Sequence, residues 1–485
     1  VTARALMLQG TGSDVGKSVL VAGLCRAYHR RGLKLLPFKP QNMSNNAAVT
    51  ACGGEIGRAQ WLQARAANAE PCVDMNPVLL KPESDTGAQV ILQGKRFVRA
   101  EAHAYQELKP ALMSAVIESF ERLKGKADLV LVEGAGSPAE VNLRQNDIAN
   151  MGFALPTKTP VVLIGDINRG GVIAAICGTH GLLPPEEQAL IKGTIINMFR
   201  GDVRLFDGGL ERIAAETGWR NFGVLPYLAC VKELPAEDAV VLETTEACTT
   251  DVFTVAVPML PRIANFDDLD PLRAEDGVKV VFCPPGTPLP REANLIVLPG
   301  SKSTIADLRF LKQQGWDTDI AAHVRAGGAL LGICGGYQML GRKVIDAEGV
   351  EGAPSEEPGL GLLDIETLFR QQKKTENVSV RVPAWDCSAS GYEIHAGQSK
   401  LGGGLVPFMK CGDRTIGVKC AEKPIYGTYL HGLFETGVFR SKFLSAIGGA
   451  ATAADFGPKV DRALNLLAEA LEEHLDLDAL LDAAQ

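Results

Sequence analysis

The chain alternates short, unbroken apolar runs with longer stretches whose apolar residues recur every three to four positions. In the first half the runs fall at 5–9, 33–38, 129–133, 161–166 and 193–197, each of strand length. A helical pattern follows the first run through Arg31 and stops at Gly32, a residue free to take the left-handed turn that ends a helix. Runs without polar alternation belong to strands buried on both faces, which predicts parallel strands covered by helices. The expectation is α/β: a doubly wound domain over 1–232, with ligand groups at the carboxyl ends of its strands.

The pattern lapses between 231 and 251, where Lys232-Glu233-Leu234-Pro235-Ala236-Glu237-Asp238 carries no core periodicity; 233–250 is read as a linker. Runs at 253–258, 278–282, 295–298, 329–333 and 425–429 then predict a second doubly wound domain over 251–447. Within it 348–361 and 370–377 are polar or rich in Gly and Pro and are expected to be loops. The tail, 448–485, places Val460, Leu464, Leu467, Leu471 and Leu475 at helical spacing and reads as a packing helix. A length of 485 residues calls for at least two cores, in agreement with this division.

Composition narrows the partners. A net charge of −8 opposes general nucleic-acid binding, and no apolar run is long enough to cross a membrane. No secretion signal is read at the start, so the 11 cysteines, none in a C-x-x-C pair, are expected to be reduced thiols of a cytoplasmic protein. Most are read as small buried apolar residues.

Two short motifs carry chemistry. Gly10-Thr11-Gly12-Ser13-Asp14-Val15-Gly16-Lys17-Ser18 lies between a strand and a helix. Glycines such as Gly12 and Gly16 let backbone N–H groups converge on phosphate oxygens, a lysine neutralises them and a hydroxyl binds magnesium. The first glycine sits one residue further from Gly16 than the standard phosphate loop has it. Lys39 follows the second strand, within expected reach of a terminal phosphate. Glu133 ends the third strand in Val132-Glu133-Gly134-Ala135-Gly136, suited to magnesium, and Asp166 and Asp147 add carboxylates at the same edge. Each alone could be a turn or helix cap; their convergence favours a metal–nucleotide site.

The second motif, Gly332-Ile333-Cys334-Gly335-Gly336, joins an apolar strand to a helix-like stretch. That is the pattern of a nucleophile elbow with cysteine in the attacking position, where the helix start stabilises a thiolate and the next N–H serves an oxyanion. Gly335 is the first oxyanion donor expected, and Gly300, in Leu298-Pro299-Gly300-Ser301-Lys302, a second. Of seven histidines, His431 ends an apolar strand after the nucleophile and is taken as the base; His395 is read as substrate-facing or structural.

These residues carry a resemblance. The Gly10-to-Gly16 step, Phe38-Lys39-Pro40 and the Glu133 segment resemble dethiobiotin synthetases and, more closely, the corrinoid amidases, in which the longer loop is normal. The cysteine half resembles class I glutamine amidotransferase domains. Lys39-Pro40-Gln41-Asn42-Met43-Ser44-Asn45-Asn46, Asn142-Leu143-Arg144 with Asp147-Ile148-Ala149-Asn150-Met151-Gly152, and Gly165-Asp166-Ile167-Asn168-Arg169-Gly170-Gly171 resemble the cobyric acid synthase family over nearly the whole chain. The resemblance implies ATP and Mg2+ as cofactors, glutamine and a corrinoid polycarboxylate as substrates, and four successive amidations. It assigns phosphate to Lys17 and Lys39, magnesium to Ser18 and Glu133, the adenine edge to Asn197, and a place near the corrinoid carboxylate to Asp147. Arg144 and Arg169 either counter substrate charge or form surface ion pairs. Many class I domains carry a glutamate two residues after the histidine, where this chain has Leu433; a Cys334–His431 dyad is therefore expected, with Glu435 as an unsupported orienting group. A cobyrinic acid a,c-diamide synthase, or a partitioning-type switch ATPase with an inert amidotransferase-like domain, remain the alternatives.

Overall fold

The computed structural model describes residues 3–83, 86–235 and 252–485, so most of the expected linker lies outside the described residues. The first domain is built on a six-stranded parallel sheet. Its order is Arg220–Pro226, Ile191–Phe199, Val161–Asp166, Arg4–Gly10, Leu129–Glu133 and Leu35–Phe38. The apolar runs are strands because both faces are covered: Leu131, Val132, Leu163 and Ile164 are fully buried. The register brings Gly10, Glu133 and Asp166 to one edge. Helix Lys17–Arg30 starts there from Gly16, whose φ of 91° is the left-handed turn that admits glycine readily.

Between the strands Leu35–Phe38 and Leu129–Glu133 the chain makes an excursion that the apolar pattern did not foretell. It forms a four-stranded sheet, Gln41–Met43, Val78–Pro82, Gly87–Leu92 and Lys95–Glu101, a short ladder of Ala47–Val49 with Glu55–Gly57, and helix Arg58–Ala66. Its apolar residues meet the second domain, where Ala47, Val49, Leu79 and Ile91 pack with Tyr392 and Ile394 in a small buried cluster.

The second domain has an eleven-stranded sheet. Val278–Cys283, Phe253–Pro258, Leu295–Leu298, Ala329–Ile333 and Ile425–Thr428 are parallel, as the doubly wound expectation requires. Beyond them the sheet turns antiparallel through Arg414–Cys420 and Leu405–Cys411 to the long pair Ile365–Val382 and Cys387–Leu401. Two expected loops are corrected here. Residues 370–377 lie inside the strand Ile365–Val382, and 348–361 contains the strand Ser355–Pro358. The first segment's polar side chains reflect a half-exposed strand rather than a loop.

The tail forms helices Gly457–His474 and Leu477–Ala483, which return to the first domain. Val460, Leu464, Leu467 and Leu471 share one buried core with Leu20, Leu24 and Tyr28. Tyr28 donates to the Leu477 carbonyl at 2.8 Å, and Gln485 and Ala5 exchange two backbone hydrogen bonds.

Candidate active sites at two strand edges

The first site is an open cleft of about 560 Å³ lined by Gly16, Lys17, Ser18, Lys39, Asn42, Glu133, Asp147 and Met198, among others. Lys17 donates to the carbonyls of Gly12 at 2.7 Å and Gly136 at 3.2 Å, so the loop closes around its own lysine. Ser18 Oγ donates to Glu133 Oε1 at 2.7 Å, and Lys39 Nζ lies 2.8 Å from the same oxygen. Gln63 donates to Glu133 Oε2 at 2.6 Å. Of the four side chains expected at phosphate and magnesium, Ser18 and Lys39 thus meet on the buried Glu133 carboxylate, and Lys17 lines the same cleft. Hydroxyl and carboxylate oxygens make a hard donor set suited to magnesium, which is usually held by one or two carboxylates plus phosphate and water oxygens. Among the described residues no group of three or more His, Cys, Asp or Glu could hold a metal ion.

Asn197 sits behind the loop, where its amide donates to the Val15 carbonyl at 2.9 Å, so here it braces the loop. Asp147 lines the cleft, and its carboxylate accepts from the backbone N–H groups of Ala149, Asn150 and Gly152, ordering the turn into helix Met151–Thr157. Arg144 pairs with buried Glu187, and Arg169 with Asp14 and Asp166.

The second site is a tight pocket of about 70 Å³ that contains Gly300, Cys334, Gln338 and His431. Cys334 has φ 50° and ψ −105°, a strained conformation for a residue with a side chain, and helix Gly335–Met339 begins directly after it. The turn is tight: a Cβ on Gly336 would fall 2.0 Å from the Leu298 carbonyl oxygen. Gly335 opens the helix, so its N–H has no acceptor within it, and Gly300 flanks His431 on the other side.

His431 has a carboxylate partner that the expected dyad did not include. Asp268 Oδ2 lies 2.7 Å from His431 Nδ1, and Asp268 Oδ1 accepts from the Gly432 N–H at 2.6 Å. Glu435 instead pairs with Arg58, and Leu433 is fully buried in the core. Asp268 comes from the turn Phe266–Leu269, far from the histidine in sequence; the tandem Asp267-Asp268 after a core strand was its only signal. Burial alone would lower the imidazole, but the charges of Asp268 and Cys334 outweigh it and push His431 up to about 10. His395 stacks on Tyr429 at 3.8 Å and binds Glu393, so it supports the pocket wall.

Part of that wall comes from the first domain. Lys81, Gln89 and Arg96 of the excursion line the pocket beside Lys302, Glu351 and Lys373. Lys81 and Lys373 both pair with Glu55, and together they hold its carboxyl down at about 2 against the opposing effect of burial. Burial pushes Glu351 up to about 7, and the Oε1 of Gln89 is buried without a hydrogen-bond partner.

Fold and geometry together define a class: a nucleotide-binding α/β domain joined to a glutamine amidotransferase domain. The comparisons agree. Residues 6–241 match the CobQ/CobB/MinD/ParA nucleotide binding domain, and 254–439 match the CobB/CobQ-like glutamine amidotransferase domain. The cobyric acid synthase of Brucella suis (strain ATCC 23445 / NCTC 10510) is 57% identical over 482 residues, covering 99% of this chain and 100% of that one. That of Mesorhizobium japonicum is 56% identical, with both chains covered in full. A glutamine amidotransferase of known structure, 18% identical, covers 44% of this chain and 98% of its own with a TM-score of 0.28, too low to add to the argument. The chain belongs to the cobyric acid synthase family.

Proposed function

We propose that this glutamine-dependent amidoligase converts adenosylcobyrinic acid a,c-diamide to adenosylcobyric acid by amidating the b, d, e and g carboxylates in turn. The supporting observation is that a strained cysteine shares a pocket with a carboxylate-held histidine in one domain, while the other gathers Lys17, Ser18, Lys39 and Glu133 in one cleft at its glycine-rich loop. In each cycle a substrate carboxylate oxygen attacks the terminal phosphoryl group of ATP and ADP leaves, giving an acyl phosphate. Lys17 and Lys39 neutralise the transferring group. Magnesium held by Ser18 and Glu133 would supply further charge neutralisation at the phosphates. Asp147 fixes the turn that faces the acceptor carboxylate.

In the second pocket the Cys334 sulfur attacks the glutamine side-chain carbonyl. His431 gives a proton to the departing ammonia, and water then hydrolyses the thioester to glutamate. Gly335 and Gly300 serve the oxyanion. Ammonia attacks the acyl phosphate carbon, phosphate leaves and the amide is formed. Full-length likeness to cobyric acid synthases favours this reading over the a,c-diamide synthase. The assembled Cys334, His431 and Asp268 oppose an inert amidotransferase-like domain.

Replacing Cys334 by Ala is the test. Glutamine-dependent amidation is expected to disappear while ammonia-dependent amidation of the a,c-diamide persists, followed by mass spectrometry. Loss of both in a folded variant defeats the division of labour, and products lacking four added amides defeat the substrate assignment.

A further inference from the structure

One helix of the first domain braces the phosphate cleft with two of its side chains and reaches, with a third, the acids beside His431. In helix Arg58–Ala66, Gln60 and Gln63 reach Glu133 at 3.5 and 2.6 Å, and Gln63 also donates to the Ser18 carbonyl at 3.2 Å. Its first residue, Arg58, points the other way, across the domain boundary. Arg58 Nε lies 2.9 Å from Asp267 Oδ2, and Nη2 lies 2.8 Å from Glu435 Oε1. The guanidinium also stacks 4.3 Å from the Trp61 ring centre, which fixes its plane. These two acids bracket the catalytic pair: Asp267 is the neighbour of Asp268, and Glu435 lies on the turn after His431.

The contact has an electrostatic consequence. Asp267 and Asp268 are adjacent carboxylates in one buried turn, both under a tenth exposed. Burial raises Asp267 above the usual carboxylate range, and Asp268 adds to the rise while Arg58 opposes it. Loss of the guanidinium would remove the largest charge that opposes the repulsion between the two acids. A second cross-domain tie holds the same turn. Asn265 donates to the Ala47 carbonyl and to Tyr392 Oη, each at 2.6 Å, and Tyr392 stacks on His431. Arg58 does not line the pocket that contains Cys334, so it acts through other residues.

We propose that Arg58 is a positioning residue for glutamine hydrolysis: from the nucleotide-binding domain it holds the Asp267–Asp268 turn and thereby the orientation of His431. This rests on the reading of Cys334 and His431 as the glutaminase.

The test compares Arg58→Met, Arg58→Lys and Asp267→Asn in the full-length chain, measuring kcat and KM for glutamine hydrolysis alongside ammonia-dependent amidation. Arg58→Met is expected to lower kcat about 10-fold or more, with KM and ammonia-dependent amidation each within about 3-fold, as loss of a transition-state alignment predicts. Arg58→Lys keeps the charge without the planar fork and is expected to recover part of the loss. Asp267→Asn should lower kcat in the same direction, and the double variant Arg58→Met/Asp267→Asn should fall no further than the worse single one. An unchanged kcat, a change confined to KM, a parallel fall of ammonia-dependent amidation, or losses that multiply would each overturn the proposal. If Arg58→Met does not fold, Asp267→Asn and Arg58→Lys decide it by the same criteria. Cys334→Ala in the same assays separates the two ideas: residual glutamine hydrolysis there would sink the reading of the cysteine itself, whatever Arg58 does.

Discussion

The two proposed catalytic centres stand at carboxyl edges of parallel strands, yet they are prepared in opposite ways. In the phosphate cleft the reactive groups satisfy one another: Lys39 and Ser18 share Glu133 Oε1, and Lys17 bonds its own loop. A polyanionic ligand entering that open space must exchange those contacts for its own. In the thiol pocket the groups are already aimed. Cys334 is strained out of its loop, His431 is pinned by Asp268, and the space is about an eighth as large, 70 against 560 Å³. The difference teaches that binding energy is spent in different places. A small, neutral amide side chain offers little with which to rearrange a site, so the protein preorganises that one. Phosphates offer much, so the cleft can wait in a neutralised form.

The sharpest way to break this comparison is to disturb the pinned histidine. Asp268→Asn keeps the shape but removes the charge that sets the imidazole tautomer. It should lower kcat for glutamine hydrolysis by about 10⁴-fold, the scale of the same change in a Ser-His-Asp triad. Ammonia-dependent amidation should persist, since Asp268 serves only the thiol pocket. A loss under about 10-fold would restore the dyad reading and make Asp268 a structural acid.

The opposite disturbance belongs to the cleft. Lys17→Met should cut both glutamine- and ammonia-dependent amidation by about 10³-fold or more, because it removes a charge aimed at the transferring phosphoryl group. Slow hydrolysis of glutamine without amidation should remain measurable. If that hydrolysis vanishes with Lys17 in a folded variant, the thiol pocket is not preorganised and the contrast between the two centres fails.

How far the sequence revealed these centres follows from the same contrast. The phosphate loop, Glu133 and the Cys334 elbow were legible because each depends on local spacing at the end of a buried parallel strand. Such strands read as continuous apolar runs, and 129–133, 161–166, 253–258, 295–298 and 329–333 fall on the strands of the structure. Asp268 was not legible, because it meets His431 from 163 positions away through a turn with no repeating pattern. Looking two residues past the histidine found only the core residue Leu433. The strand over 370–377 was hidden for another reason: its half-exposed polar side chains leave no apolar stripe to detect. Arg58 carried no local signal, since its meaning lies in the domain that receives it.

The tail extends this lesson and gives the smallest expected effect. Its helical spacing was plain, but spacing does not say which core a helix joins. The structure gives it to the first domain, where Leu471 is fully buried against the helix that follows the phosphate loop: a Cβ on Gly23 would fall 2.5 Å from Leu471 Cδ1. Close approach at Gly23 lets that leucine fill the groove, so Leu471→Ala leaves a cavity under the phosphate-loop helix. A loss of about 2–5 kcal/mol of stability is expected, as for other fully buried leucines. The loss should fall on the nucleotide-binding domain, whose thermal midpoint should drop, while the amidotransferase transition and glutamine hydrolysis at low temperature stay close to those of the parent chain. If calorimetry instead finds both transitions lowered together, the domains unfold as one cooperative unit. The boundary at which Arg58 acts is then a shared core rather than a contact between two separately stable domains.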